Sequence, residues 1–258
     1  MSVLSITDAS LAFGDRQLWS GLNLNVEAGE FVAVLGPNGT GKTSLLRAIL
    51  GQQPLTSGTV ELLGVSAQRG NPAVGYVPQQ TSNRDGTPVR ARDFVAFGID
   101  GNRWGPPITS RTTKRRVDEL LQAVGASHYA NAPVASLSGG EQQRIRIAQA
   151  IASSPALLLC DEPLLSLDLA QQRSVSELID EQRRRLSTAV LFVTHDVNPI
   201  LGIVDRVLYL AHGRFTIGTA DEVLRSEVLS GLYGTPVDVF HCRGRVVVVG
   251  AGPEEHNH

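Results

Sequence analysis

The chain has 258 residues, of which 42% are hydrophobic and 19% are charged, and its formal net charge is −2. That apolar content is enough for a sizeable buried core, in one large domain or in one domain with an inserted subdomain. Nucleic-acid-binding proteins normally carry a strong basic surplus, so the balanced charge argues against a nucleic-acid partner. The basic clusters at 114–116 and 183–185 are therefore expected to be solvated helix faces.

The cysteine content and the apolar runs predict where the chain works. Cys160 and Cys242 form no disulfide framework and are compatible with a reducing compartment. The first residues lack the charged-then-apolar layout of a signal peptide. The longest apolar runs fall far short of the roughly 20 residues that span a bilayer. We therefore expect a soluble, cytoplasmic chain that reaches a membrane only through a partner protein.

The first 60 residues predict strands followed by a helix. Apolar and polar residues alternate at 3–6 and 22–26, as in strands with one wet face. The continuous apolar run 31–35 is typical of a strand buried on both faces. Residues 42–50 are predicted to form a helix, closed by Gly51 as its C-cap.

The middle of the chain changes character. Short strands are predicted at 59–63 and 74–77, and a Gly/Pro-rich stretch at 98–107 is followed by a helix at 112–124. These patterns predict a mostly helical subdomain inserted at about 84–136.

The last third returns to strands that alternate with helices. The apolar runs 156–160, 189–194 and 206–210 are predicted strands, and this alternation is typical of a parallel sheet covered on both sides. Residues 237–240 and 245–249 are predicted to pair as a hairpin.

A glycine-rich loop lies between the predicted strand 31–35 and the helix that follows. Its sequence, GPNGTGKT, fits the phosphate-loop pattern G-x-x-x-x-G-K-[ST]. Glycines let several backbone N–H groups point at one anion, the helix N-terminus favours negative charge, the lysine adds a cation and the threonine hydroxyl suits Mg²⁺. The candidate nucleotide-binding residues are Gly36, Pro37, Asn38, Gly39, Thr40, Gly41, Lys42 and Thr43. No role is assigned to Ser44.

Acidic and basic groups follow two later strands. Asp161 and Glu162 come at the end of strand 156–160, and ligands of open parallel sheets bind beyond the carboxyl ends of the strands. Asp161 is predicted to hold the Mg²⁺ shell, and Glu162 is predicted to orient or deprotonate the attacking water. His195 follows the next strand and is predicted to bond the γ-phosphate or that water.

A second glycine-containing motif, LSGGEQQ, spans residues 137–143. Ser138 and Glu141 fit a capping box, so a well-formed helix start is one interpretation. A capping box does not require glycines, however. Two glycines and a serine at a helix N-terminus make a second anion site.

Taken in order, these motifs resemble the ATPase subunits of ATP-binding-cassette (ABC) proteins. The resemblance covers nearly the whole chain: phosphate loop, a glutamine after an apolar strand, the LSGGEQ signature, the acidic strand end, the segment 166–168 and then His195. It implies a single α/β domain over 1–258 of the P-loop NTPase class. That fold has a mostly parallel sheet core, an N-terminal antiparallel β subdomain, the inserted helical subdomain and a C-terminal extension at about 236–258.

The resemblance also implies roles for individual residues. Phe13 matches the aromatic ring that stacks on adenine, although a strand-core residue is the alternative. Gln79 matches the glutamine that reaches Mg²⁺ and the water, and that links the site to the helical insert. The signature residues Ser138, Gly139, Gly140 and Glu141 would act in the other subunit's site, with Ser138 and Gly140 touching its γ-phosphate. Asp168 would lie at the subunit junction.

The implied mechanism uses ATP and Mg²⁺ in a homodimer. Each nucleotide is sandwiched between Lys42 of one subunit and Ser138 of the other, so ATP closes the dimer and hydrolysis reopens it. The implied partners are integral membrane permease subunits, docked near 80–98, and an extracytoplasmic substrate-binding protein. The implied location is the cytoplasmic face of the membrane.

Finer similarity suggests the cargo. Segments 13–17, 88–98 and 232–236 resemble importers of manganese, zinc or iron. Importers of siderophores, haem or cobalamin are the first alternative, and a soluble ABC ATPase, such as one for cluster assembly, is an alternative of another class. A P-loop kinase has no reason to carry the segment 137–142. His241, Cys242, His256 and His258 are zinc-ligand types, but their spacing matches no compact site and no metal is assigned to them.

Overall fold

The computed structural model describes residues 2–79, 89–101 and 110–250. Part of the predicted docking segment, 80–88, lies outside these residues, as do most of the Gly/Pro-rich stretch and both His256 and His258. Within the described ranges, no helix is long and apolar enough to cross a lipid bilayer. Cys160 is buried, Cys242 is exposed, and both are free thiols.

The described strands form two larger sheets and one hairpin. They are β1 (Ser2–Phe13), β2 (Arg16–Glu27), β3 (Phe31–Leu35), β4 (Ser57–Leu62), β5 (Val65–Ser66), β6 (Val74–Val77), β7 (Leu157–Asp161), β8 (Ala189–Val193), β9 (Arg206–Ala211), β10 (Arg214–Gly218), β11 (Val237–Cys242) and β12 (Arg245–Gly250). The six-stranded sheet has the order β10-β9-β3-β8-β7-β6, and only β10 is antiparallel to its neighbour. The predicted mostly parallel core is therefore confirmed.

The second sheet is antiparallel, with the order β2-β1-β4-β5. Strands β11 and β12 pair antiparallel as the predicted C-terminal hairpin. This hairpin is anchored through Asn198, whose side-chain amide donates to the Val246 carbonyl (2.9 Å) and accepts from the Val246 N–H (2.8 Å). Its outer positions remain apolar and exposed, with Phe240 among them.

The described helices cover both faces of the parallel sheet or belong to the insert. They are α1 (Lys42–Ile49), α2 (Ala91–Asp100), α3 (Arg111–Ala123), α4 (Gly139–Ala150), α5 (Leu169–Leu186), α6 (Ala220–Val223) and α7 (Ser226–Tyr233), with single 3₁₀ turns at Ser127–Tyr129, Val134–Ser136 and Asn198–Ile200. Helix α1 ends one residue before the predicted limit: Leu50 is its C-cap, and Gly51 follows with φ +66°. Helix α4 begins at Gly139, directly after Ser138 of the predicted capping box.

Alternation along β3 explains the layered arrangement. Every residue of this strand is buried, as expected for a central parallel strand. Phe31 and Ala33 face a core shared with the helical insert and α5, whereas Val32 and Val34 face a core shared with α1 and the antiparallel sheet. Because successive strand side chains point to opposite faces, one apolar run joins two cores.

Phe192 tests how much the packing across this sheet stabilises the chain. Its ring is fully buried and its centroid lies 5.5 Å from that of Phe31. Phe192→Ala should lower the free energy of unfolding by about 3–5 kcal/mol, because the cavity adds to the lost transfer energy. Urea denaturation measures this loss. Phe97→Ala, at a ring that is 55% exposed, should change it by less than about 0.5 kcal/mol; similar losses for both variants would contradict the packing argument.

Candidate functional site

A cleft of about 1320 Å³ opens at the carboxyl ends of the parallel strands. Most of the phosphate loop lines it, together with Phe13, Gln79, Glu162 and His195. On its far side the cleft reaches the C-terminal hairpin, where Val246 to Val248 line it. The structure thus brings the predicted loop, acidic strand end, glutamine and histidine into one space.

The phosphate loop depends on backbone positions that only glycine tolerates. Gly36 has φ +138°, and a Cβ there would lie 2.1 Å from the Leu210 carbonyl oxygen. Gly41, the N-cap of α1, has φ +95°, and its Cβ would lie 2.8 Å from Trp19 Nε1. The loop is therefore pressed between strand β9 and the first hairpin, so these glycines are needed for close approach as well as for conformation.

Lys42 extends along the inside of this loop. Its Nζ donates to the carbonyls of Gly36 (2.7 Å) and Pro37 (3.0 Å), and its side chain is buried. Burial lowers the pKa of Lys42, while the nearby Glu162 and Asp161 oppose that shift. A phosphate anion in the loop would favour the charged ammonium in the same way.

Thr43 and Asp161 join the loop to the acidic strand end. The Thr43 hydroxyl donates to Asp161 Oδ1 over 3.2 Å. Burial raises the pKa of Asp161, and the hydrogen bond from Thr43 opposes this. Both groups offer oxygen atoms, the ligands that Mg²⁺ prefers. The donor set therefore fits a magnesium ion, whose charge would also offset the cost of burying the carboxylate.

Tyr76 is a member of this cluster that the sequence analysis missed. Its hydroxyl lies 3.4 Å from Asp161 Oδ2, and burial raises the pKa of Tyr76 to about 12. Strand β6 pairs with β7, with Tyr76 opposite Leu159. A phenol inside an otherwise apolar strand was a signal for a polar partner, but the partner's identity required the order of the strands.

Glu162 occupies a strained position at the mouth of the cleft. Its φ is +46°, in the left-handed region that a glutamate seldom adopts, and its N–H donates to the Val193 carbonyl over 3.0 Å. Strain of this kind clusters at functional sites. Gln79 Nε2 lies 3.5 Å from Glu162 Oε2, and His195 Nδ1 lies 3.7 Å from the same oxygen. Three candidate catalytic side chains therefore meet at one carboxylate.

Phe13 and Arg16 form the other wall. Phe13 is 50% exposed and lines the cleft, so the strand-core alternative for this ring is wrong. Arg16 is its cross-strand partner at the end of the first hairpin, and Arg16 Nη2 donates to the Gly39 carbonyl over 2.9 Å. Arg16 was not among the predicted site residues, because no motif marks it.

The signature segment lies apart from this cleft within the part of the chain that the structure describes. None of Ser138, Gly139, Gly140 and Glu141 lines it. The capping box is present: Ser138 accepts from the Glu141 N–H, and the Glu141 carboxylate accepts from the Ser138 N–H over 2.8 Å. A Cβ at Gly140 would lie 3.1 Å from Gln171 Cδ, so this glycine allows α4 and α5 to pack closely.

Asp168 and His241 each contact residues close to them in the fold. Asp168 is the N-cap of α5, where Oδ1 accepts from the Gln171 N–H over 2.8 Å. His241 Nε2 lies 3.3 Å from the Leu224 carbonyl oxygen. Among the described residues there is no group of three or more His, Cys, Asp or Glu side chains that could hold a metal ion.

Comparison with known proteins agrees with this geometry. A family model described as ABC transporter matches residues 19–165, more than half of the chain. The zinc import ATP-binding protein ZnuC of Paramagnetospirillum magneticum is 34% identical over 92% of this chain and 84% of that protein. The spermidine/putrescine import ATP-binding protein PotA of Bacteroides fragilis is 33% identical over 93% of this chain, but over 48% of its own length.

A solved structure extends the similarity to the fold. A chain described as belonging to an inward-facing, metal-chelate type ABC transporter superimposes with a TM-score of 0.82 at 28% identity, covering 98% of this chain and 99% of that one. The two chains therefore share their fold over nearly their whole length.

Removing the buried ammonium tests the cleft as an anion site. Lys42→Ala should weaken ATP binding about 10- to 100-fold, as expected for the loss of hydrogen bonds from a charged donor. Isothermal titration calorimetry measures the affinity. The chain's other lysine, Lys114, is exposed on α3, so Lys114→Ala is the matched control and should bind normally. Unchanged affinity in Lys42→Ala would contradict the phosphate-loop assignment.

Proposed function

This chain belongs to the ABC transporter family as an ATP-hydrolysing subunit, and on that basis we propose that it works as a homodimer that drives import of a divalent metal cation through separate membrane subunits. One observation carries the proposal. Lys42, Glu162, Gln79 and His195 meet in one cleft, whereas the signature residues do not line it. A single copy therefore has the nucleotide-binding half of a site and, elsewhere, the half that would close another copy's site.

The residues of the cleft suggest a division of labour. The phosphate loop and Lys42 bind the polyphosphate, and the Phe13 ring stacks on the base. Thr43, Asp161 and Gln79 would hold Mg²⁺, which supplies charge neutralisation to the phosphates when bound. Glu162 accepts the proton of the attacking water, and His195 donates a hydrogen bond to the γ-phosphate or to that water. The chain's part is positioning and charge stabilisation.

The second half of the site is the N-terminus of α4. Ser138 and Gly139 are exposed there, and the N–H groups and dipole of a 12-residue helix favour a phosphate anion. In a head-to-tail dimer, Ser138 and Gly140 of one copy contact the γ-phosphate held by Lys42 of the other. ATP thereby stabilises the closed dimer and hydrolysis releases it.

The start of α5 is the proposed subunit junction. Asp168 uses one carboxylate oxygen to cap the helix, and the next residue, Leu169, has 69% of its surface exposed. In the proposed dimer, both residues face the second copy.

The membrane partners would be integral permease subunits, with an extracytoplasmic substrate-binding protein in the complete system. The chain itself would be peripheral at the cytoplasmic face of the membrane.

The zinc import relative and the metal-chelate type neighbour support a metal cargo, and the latter equally suits a siderophore, haem or cobalamin. Reconstitution with a polytopic membrane protein that co-purifies with the full chain should give ATPase activity stimulated by divalent metal. Stimulation by a chelate alone would favour the alternative.

A soluble ABC ATPase, such as one for cluster assembly, is the alternative of another class. Affinity purification of the full chain from detergent-solubilised membranes distinguishes the two. A transport subunit should bring down a polytopic membrane protein, whereas recovery of only soluble assembly proteins would contradict the transport proposal.

Glu162→Gln tests the assignment of Glu162 as the general base that accepts the proton of the attacking water. The amide keeps the shape of the side chain but accepts no proton, so ATP should bind normally, turnover should fall at least 100-fold, and an ATP-loaded dimer should accumulate. A coupled ATPase assay and size-exclusion chromatography measure these effects. Glu177→Gln removes an exposed ion pair with Arg173 on α5 and should hydrolyse ATP at the normal rate. Normal turnover in Glu162→Gln would refute the role of Glu162.

Ser138→Arg tests whether each nucleotide is bound between two copies of the chain. A long cation at the exposed start of α4 should block closure, so that steady-state turnover falls at least tenfold while single-subunit ATP affinity stays within about twofold. In a Glu162→Gln background it should also prevent the ATP-dependent dimer. Ser66→Arg, on the exposed edge strand β5, is the control. Full turnover in Ser138→Arg would remove the argument for a site shared between copies.

A further inference from the structure

Arg16 connects two parts of the cleft that the proposed function assigns to different parts of the nucleotide. It is paired across the first hairpin with Phe13, the candidate base-stacking ring. Its Nη2 donates to the carbonyl of Gly39, in the middle of the phosphate loop, over 2.9 Å. Arg16 also lines the same cleft as Lys42. Its guanidinium therefore lies where the base-binding and phosphate-binding regions meet.

The charge of Arg16 has no counter-ion in the described part of the chain. No carboxylate there lies within ion-pair distance of it, whereas Arg183, Arg206 and several other arginines have such partners. A guanidinium has five N–H donors, and within the described residues the one side-chain hydrogen bond of Arg16 goes to a neutral carbonyl. The remaining donors are available to an anion in the cleft.

The other charges in the cleft define which anion is left for Arg16. Lys42 bonds carbonyls at the start of the loop and lies near Asp161 and Glu162, which assigns it to the end of the phosphate chain where hydrolysis occurs. Arg16 bonds the loop at Gly39, on the side of Phe13. The phosphate nearest the sugar is the anion expected between a stacked base and the reacting end.

We propose that Arg16 is a nucleotide-binding residue, and that its guanidinium contacts the phosphate nearest the sugar while it holds the Gly39 carbonyl of the phosphate loop. This inference rests on the proposed function, because it requires a nucleotide in the cleft. It adds a second cation to the site, and this cation is not part of the phosphate-loop motif. A charge-assisted contact of this kind is stronger than a neutral hydrogen bond and is geometrically specific.

Arg16→Gln removes the charge but keeps an amide donor for Gly39. Isothermal titration calorimetry with adenosine, AMP, ADP and ATP, in EDTA and again in Mg²⁺, measures the effect. The affinities for AMP, ADP and ATP should each fall about tenfold, and that for adenosine should stay the same. Raising the salt concentration should weaken nucleotide binding less in the variant than in the natural chain. Arg16→Lys should restore part of the loss.

The matched control is Arg69→Gln. Arg69 also donates to a glycine carbonyl, that of Gly51 over 3.3 Å, but it does not line the cleft. The Arg69→Gln variant should bind adenosine, AMP, ADP and ATP with the affinities of the natural chain. Thermal melts of both variants should match that of the natural chain, which shows that the fold is intact.

The outcomes separate this inference from the proposed function. Unchanged affinity for all ligands in Arg16→Gln would overturn the assignment of Arg16. An equal loss for adenosine would overturn that assignment too, because it indicates a role in shaping the hairpin. So would a loss confined to ATP. If the natural chain binds ATP and Lys42→Ala does not, the proposed function survives any of these results. If the natural chain binds no nucleotide, the proposed function itself fails.

Discussion

Three neighbouring parallel strands end at the same level of the central sheet, and this register is the constraint on which the site depends. Val34 of β3 pairs with Val193 of β8, and Val193 pairs with Asp161 of β7. The loops that follow these strands therefore emerge side by side. The phosphate loop, the acidic pair and His195 follow the three strands in turn, so groups more than 100 residues apart meet within hydrogen-bonding distance, as Thr43 and Asp161 do at 3.2 Å.

Burial and charge oppose each other throughout this edge of the sheet. Lys42 and Asp161 are both buried. Burial lowers the pKa of Lys42 and raises that of Asp161, so it favours the neutral form of each group. Backbone carbonyls, the Thr43 hydroxyl and the Tyr76 hydroxyl offset part of that cost. A nucleotide with its metal ion supplies opposite charges to both groups, so the free chain is arranged to favour such a ligand.

The surroundings of the cleft connect chemistry to the rest of the molecule. Asp196, next to His195, accepts hydrogen bonds from the Asn198 backbone (2.9 Å) and side chain (2.8 Å), and Asn198 in turn holds Val246 of the C-terminal hairpin. Gln79 lies at the other side, at the point where the chain enters the insert. Hydrogen bonds through Asp196 and Asn198 thus connect the loop that carries His195 to the C-terminal hairpin.

The amino-acid sequence by itself determined the local features. The apolar run 31–35 became a buried strand, the Ser138–Glu141 capping box formed, and the glycines of the phosphate loop have the positive φ angles that this loop needs. These features depend on a few consecutive residues, because strand burial, helix capping and glycine conformation are short-range effects. The motifs also identified the side chains that now meet in the cleft.

Tertiary structure alone decided the contacts of the residues that no motif marks. Tyr76 bonds Asp161 because β6 lies beside β7, and Arg16 reaches Gly39 because the first hairpin packs on the phosphate loop. Neither contact leaves a pattern in the sequence, since each joins residues whose spacing along the chain is arbitrary. The same holds for the exposure of Phe13: alternation shows that a strand has two faces, but the packing of a second layer determines which face remains open to a ligand.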